Sequence, residues 1–180
     1  PDAFHRACPA QSMRSFSVLL LACVILVSGC GYKLGEVRPT AMRSVRTLSV
    51  PNFKNDTFES RVEVLFADAL VKRLQQDATY RLVNSNEADA ILSCTITSIQ
   101  SASLRSLVSD VLATREFGLI VNAKYEVVDQ SSGAILMQGS ASGKSSFFSG
   151  NDLQTSKQQA LSNAALDLAD KLTAQVTEGW

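Results

Sequence analysis

Between Phe117 and Val127 the chain alternates. Phe117, Leu119, Val121, Ala123, Tyr125 and Val127 are apolar, and Gly118, Asn122, Lys124 and Glu126 stand between them. Successive side chains of a β-strand point to opposite faces. The pattern therefore calls for a long strand with one buried face and one wetted face. Such a strand needs other strands beside it and an apolar layer over one side only.

The flanking sequence supplies both. Before it, a strand is expected from about Ala90 to Leu104, with Leu92, Cys94 and Ile96 in alternation and Ile99 out of phase, which implies a bulge near Ser98. Arg105 to Thr114 is expected to form the tip of the hairpin joining the two. After it, Asp129-Gln130-Ser131-Ser132-Gly133 is a turn, and Ala134 to about Ser142 returns as an antiparallel strand. Gly143 to Gly150 reads as a loop rich in small residues. Earlier in the chain, Val45 to Val50 is a short strand stopped by Pro51, and Tyr80 to Val83 is another. The loop Asn52 to Thr57 leads to a helix from about Phe58 to Gln76. There Val62, Leu65, Phe66, Ala69, Leu70 and Leu74 fall at helical spacing, and Asp56 with Glu59 has the form of a capping box. Strand, helix and strand in this order predict a right-handed crossover between parallel strands. Asn84 to Glu87 is a turn. A last helix is capped by Asn151 or Asp152 and carries Leu161, Ala165, Leu168, Leu172 and Val176 as one stripe, flanked by Ala160 and Ala164. The expected fold is α+β: a two-layer sandwich with a mixed four- to five-stranded sheet and two helices packed on one face. The opposite sheet face has no helix to cover it, so it must be polar or bound to something.

The N-terminal segment has a different character. From Met13, Arg14 is followed by the apolar run Phe16 to Val27 and then by Ser28, Gly29 and Cys30. A basic residue, an apolar stretch and small residues before a cleavage point are the form of a secretory signal peptide. The run is shorter than the roughly 20 residues of a spanning helix, which makes an uncleaved membrane helix the lesser alternative. Cys30 directly after Val27-Ser28-Gly29 resembles the lipobox of bacterial lipoproteins. That resemblance implies diacylglycerylation of the thiol, cleavage before Cys30 and acylation of the new amine. Several acyl chains, at about 0.8 kcal/mol per buried CH2, hold a chain on a bilayer without spanning it. Gly31, where an aspartate often marks inner-membrane retention in that class, points to the outer membrane. The expected organisation is a signal peptide over 1–29, in which 1–12 precede the first methionine and look like a mis-assigned start; a lipid-anchored tether over 30–43; and a single domain over 44–180.

Composition narrows the function. Seventeen basic residues balance seventeen acidic ones, so bulk charge gives no argument for nucleic acid. The one histidine, His5, falls in the excluded stretch. The mature chain then lacks Ser-His and Cys-His nucleophile pairs and the commonest zinc ligand. No glycine-rich phosphate loop of the Walker type is present. Glu87 and Asp89 sit in a turn beside a strand and read as solvated or capping groups. Cys94, inside an apolar run and without a partner if Cys30 carries lipid, reads as a small buried hydrophobe. No enzyme activity, cofactor or metal is expected.

Cys30-Gly31-Tyr32-Lys33-Leu34, Leu48-Ser49-Val50-Pro51-Asn52-Phe53-Lys54-Asn55-Asp56-Thr57 and Ala88-Asp89-Ala90-Ile91-Leu92, in this order and followed by a long amphipathic helix, resemble the lipopolysaccharide-assembly lipoproteins of the LptE type. The resemblance covers nearly all of the mature chain, which departs from the best-known members in lacking a long polar tail. It implies a non-catalytic, lipid-anchored protein of the outer membrane. Such a protein plugs a large β-barrel translocon of the LptD type, assists its assembly and helps deliver lipopolysaccharide to the outer leaflet. Lipid A carries phosphates, so loop-tip cations are the sensible contacts: Arg105 and Arg115 at the middle hairpin, Lys144, and Lys157 at the start of the last helix. Phe147 and Phe148 resemble an aromatic pair of the family and are candidates for the partner interface, one of them with a share in the core. The alternative is another small outer-membrane lipoprotein with a binding role, such as a peptidoglycan-synthase activator or a secretion-channel pilot.

Overall fold

The computed structural model describes residues 38–105, 115–149 and 152–179. They belong to one compact unit, Val37–Trp180; the other unit, Pro1–Glu36, lies outside the described residues. The elements run β1 (Thr47–Ser49), β2 (Lys54–Asn55), α1 (Val62–Asp77), β3 (Arg81–Leu82), β4 (Ala90–Arg105), β5 (Arg115–Asp129), β6 (Ile135–Ser149) and α2 (Leu153–Glu178), with short 3-10 turns at Thr40–Met42 and Ser85–Glu87. The strand order is β3-β1-β4-β5-β6, and β2 pairs with β4 beyond β1. Pairing is parallel among β3, β1, β2 and β4 and antiparallel from β4 to β6. The fold is the expected α+β sandwich, with one strand more than expected.

The extra strand is β2, inside the stretch expected to be loop. Lys54 and Asn55 pair with Thr95 and Ile96, and the Asp56 N–H donates to the Ile96 carbonyl at 3.0 Å. This pairing overturns the expected capping box. With Asp56 held against β4, α1 begins only at Val62, after Arg61 in a left-handed conformation (φ 64°) with no side-chain cap. Asn55 organises the approach instead. Its Oδ1 accepts from the Thr57 N–H and hydroxyl, and its Nδ2 donates to the Glu59 carbonyl at 2.7 Å.

The bulge falls where the phase change of Ile99 placed it. Pairing steps from Ile96↔Ala123 to Ser98↔Asn122, leaving Thr97 as the additional residue. The Thr97 hydroxyl donates to the Asn122 carbonyl and Asn122 Nδ2 to the Ser98 hydroxyl. The shift returns Ile99 to the core side. Residues 106–114, most of the expected hairpin tip, lie outside the described residues.

β6 runs to Ser149, so Gly143 to Ser149 is strand and not loop. Alternation persists there, but its inward positions are Gly143, Ser145 and Phe147. The small ones let α2 come close: a Cβ on Gly143 would lie 2.2 Å from the Ala164 carbonyl oxygen and 2.8 Å from Leu168 Cβ. Asp152 caps α2, its carboxylate accepting from the Thr155 N–H at 3.0 Å. Leu161, Ala165, Leu168, Leu172 and Val176 are all buried, as are Ala160 and Ala164. With Phe66, Leu70 and Leu74 of α1 and the inward residues of β4 and β5 they make one core. The fold takes up the chain from Arg38, inside the stretch expected to be tether. Its guanidinium donates to the Val45 and Thr79 carbonyls and lies over the Tyr80 ring, and Met42 is fully buried.

Candidate functional site

With both helices on one side, the other face of the sheet carries the unassigned chemistry. It displays Ser93, Thr95 and Thr97 from β4, Ile120, Asn122, Lys124 and Glu126 from β5, and Gln138, Ser140, Ser142, Lys144, Ser146 and Phe148 from β6. Hydroxyls and carboxamides dominate, and the charges nearly balance. Half of this face is a shallow trough of about 660 Å³, lined among others by Lys54, Asp56, Thr95, Lys124, Glu126 and Gln138.

Most of the candidate residues lie toward one end of the sheet, where β4 ends and β5 begins. Arg105 ends β4 opposite Glu116, and Arg115 begins β5 opposite Ser149. Both are therefore strand positions at the same end of the sheet; their side chains lie outside the described residues. Lys144 is exposed, opposite Ile120, with Phe148 further along the same face opposite Glu116. Alternation splits the adjacent phenylalanines. Phe147 is buried (8% exposed) and stacks on Phe117 with centroids 5.5 Å apart and planes 18° apart, whereas Phe148 is 55% exposed. Phe147 thus belongs to the core, and Phe148 is the exposed member of the pair. Lys157 stands apart from this group. It pairs with Glu59 on the approach to α1, beside the fully exposed Phe58. Cys30 lies outside the described residues.

Other polar groups have structural work. Asp89 accepts from the Arg46 and Thr47 N–H groups at 2.9 and 2.8 Å, and these bonds hold its carboxyl below the usual range. Asp129 does the same for the β5–β6 turn. Its bonds from the Ser131 hydroxyl and from Ser132 lower it to about 2, and Gly133 closes the turn at φ 70°. Burial pushes the Cys94 thiol up to about 12, so it is protonated and inert at neutral pH. Among the described residues no group of three or more His, Cys, Asp or Glu could hold a metal ion, and no helix is long and apolar enough to cross a membrane.

Sequence required of the helix-free face only that it be polar or partnered, and did not reveal the trough. The signal for its extent was the run of small hydroxyl residues from Ser140 to Ser146, which reads as loop until strand alternation is followed through it.

The same two-layer fold occurs in solved structures. A hypothetical protein of Chlamydia trachomatis superposes with a TM-score of 0.53 at 13% identity, over 75% of this chain and 96% of that one. A minor lipoprotein of Acinetobacter baumannii does so with 0.50 at 14% identity, over 74% and 94%. At such identity the likeness defines a fold class and nothing finer. No curated protein sequence matches the chain. The family is given by sequence: residues 45–176 match the model of the lipopolysaccharide-assembly family LptE. The chain belongs to that family.

Proposed function

We propose that this chain is a lipoprotein of the outer membrane, anchored through Cys30, that sits within an LptD-type β-barrel translocon. There it assists assembly of the barrel and helps pass lipopolysaccharide to the outer leaflet. It acts by binding and not by catalysis. The observation that carries the reading is the helix-free sheet face, polar and nearly neutral in a chain of this family. The lumen of a large outer-membrane barrel is itself polar. A surface of serine, threonine and glutamine suits a wet interface of that kind better than an apolar one would.

Lipopolysaccharide joins phosphates to acyl chains. Arg105 and Arg115 hold strand positions at the hairpin, and Lys144 and the exposed Phe148 lie toward the same end of the sheet, so basic residues and an aromatic share that end of the strand pairing. Lys157 joins this group only by exchanging Glu59 for a phosphate, and ranks behind it. The test is capture of lipopolysaccharide by the tagged full chain. Replacing Arg105 and Arg115 together with aspartate should weaken capture while leaving the circular dichroism unchanged. Equal capture by the folded variant removes lipopolysaccharide as the ligand of that hairpin.

A further inference from the structure

β6 is the last strand of the sheet, and among the described residues its outer edge faces no other strand. Exposed edges recruit strands from other chains unless something blocks them. In an antiparallel pair, alternate residues direct both backbone groups away from the neighbour. On β6 these include Ser140, Ser142 and Lys144, and each is met by a side chain of α2. The Lys144 N–H donates to Asp167 Oδ2 at 2.7 Å. Lys171 Nζ donates to the Ser142 carbonyl at 2.8 Å, and Gln175 Nε2 to the Ser140 carbonyl at 3.5 Å. Lys171 also pairs with Asp167 at 2.7 Å, which ties two members of the row together.

The spacing explains why a helix can do this. Helical residues four apart rise about 6.0 Å, and strand residues two apart advance about 6.8 Å. Asp167, Lys171 and Gln175, at successive four-residue steps, therefore keep pace with Lys144, Ser142 and Ser140 as α2 runs back along β6. Gly143 brings the helix close enough for the row to hang over the edge. The next residue in the row, Asn163, bonds instead with Gln159, so the match stops at Lys144.

We propose that the Asp167–Lys171–Gln175 row is an edge guard. It occupies one outward backbone group at each of Ser140, Ser142 and Lys144, where a strand from a second copy of this chain would pair, and so blocks strand addition along that stretch of the edge. The proposal is independent of the function assigned above. The test uses the full chain in detergent, with Asp167→Ala, Lys171→Ala and Gln175→Ala combined, and Asp167→Asn as the variant that keeps an acceptor. In the triple variant the Lys144 amide should exchange about tenfold faster, and sedimentation should show self-association at concentrations where the parent has none. Asp167→Asn should behave as the parent. A folded triple variant that sediments as the parent does overturns the proposal. Should the triple variant not fold, the single Asp167→Ala variant decides: a Lys144 amide as protected as in the parent overturns it, and accelerated exchange supports it.

Discussion

Asp89 and Thr47 hold one another from two directions. The Thr47 N–H donates to Asp89 Oδ2 at 2.8 Å, and the Asp89 N–H donates back to Thr47 Oγ1 at 2.8 Å. The pair sits where β1 begins and the chain turns into β4, just ahead of the Leu48↔Ala90 pairing. It sets the register of two parallel strands that share only two residue pairs. This is the physical content of the Ala88-Asp89-Ala90 sequence: the carboxylate is there for backbone N–H groups.

Asp89→Ala should therefore cost about 1 kcal/mol, the size of a solvent-accessible charge-assisted bond to backbone. Asp89→Asn, which keeps an acceptor, should cost less. Chemical denaturation of both variants checks the order. Equal losses would mean that the hydrogen-bond geometry is not what the side chain contributes.

Gly143→Ala adds a methyl group where the Ala164 carbonyl oxygen already stands, 2.2 Å away. The obstruction is backbone, so relief requires α2 to move off β6. A loss of about 3 kcal/mol is expected. Gly133→Ala has open space around its Cβ and only the positive φ to oppose it, so its cost should be smaller, about 1 kcal/mol. Thermal denaturation of the two variants side by side checks the contrast.

Acid should weaken the fold through carboxylates that it uses. Asp89 is lowered first by the bond from the Arg46 N–H, then by those from Thr47. Asp129 is lowered to about 2, first by the Ser131 hydroxyl and then by Ser132. At Asp167 burial pulls upward, but Lys171 and the Lys144 N–H outweigh it and the net direction is down. Each group releases its proton more readily folded than unfolded. Its contribution is complete above the unfolded value of about 4 and is lost as pH falls through the folded one. Melting temperature should thus be level near neutrality and decline below about pH 4. Asp129→Asn should flatten that decline between about pH 4 and pH 2. A decline of the same shape in Asp129→Asn would contradict the assignment.

What could be read before the structure was what burial makes periodic. The alternation of Phe117 to Val127, the phase slip at Ile99 and the Leu161–Val176 stripe all correspond to faces turned toward the core. β2 could not be read, because two residues carry no period and their pairing with Thr95 and Ile96 is a backbone matter. The far half of β6 was hidden because Gly143 and Ser145 occupy inward positions that elsewhere carry large apolar groups. For the site, alternation already implied that Phe147 and Phe148 face opposite ways once the segment is strand. The Lys157–Glu59 pair joins residues far apart in sequence and left no local trace. The edge row on α2 has the same character: Asp167 and Lys171 are four residues apart on one helix, but their bonds to β6 join residues distant in sequence.

That this chain works seated in an outer-membrane barrel is tested most directly by purifying the full chain, through a C-terminal tag, from membranes dissolved in mild detergent. A large β-barrel of the LptD type should accompany it in stoichiometric amount. Recovery of the chain with a periplasmic synthase or a secretion channel in the barrel's place would contradict that seating.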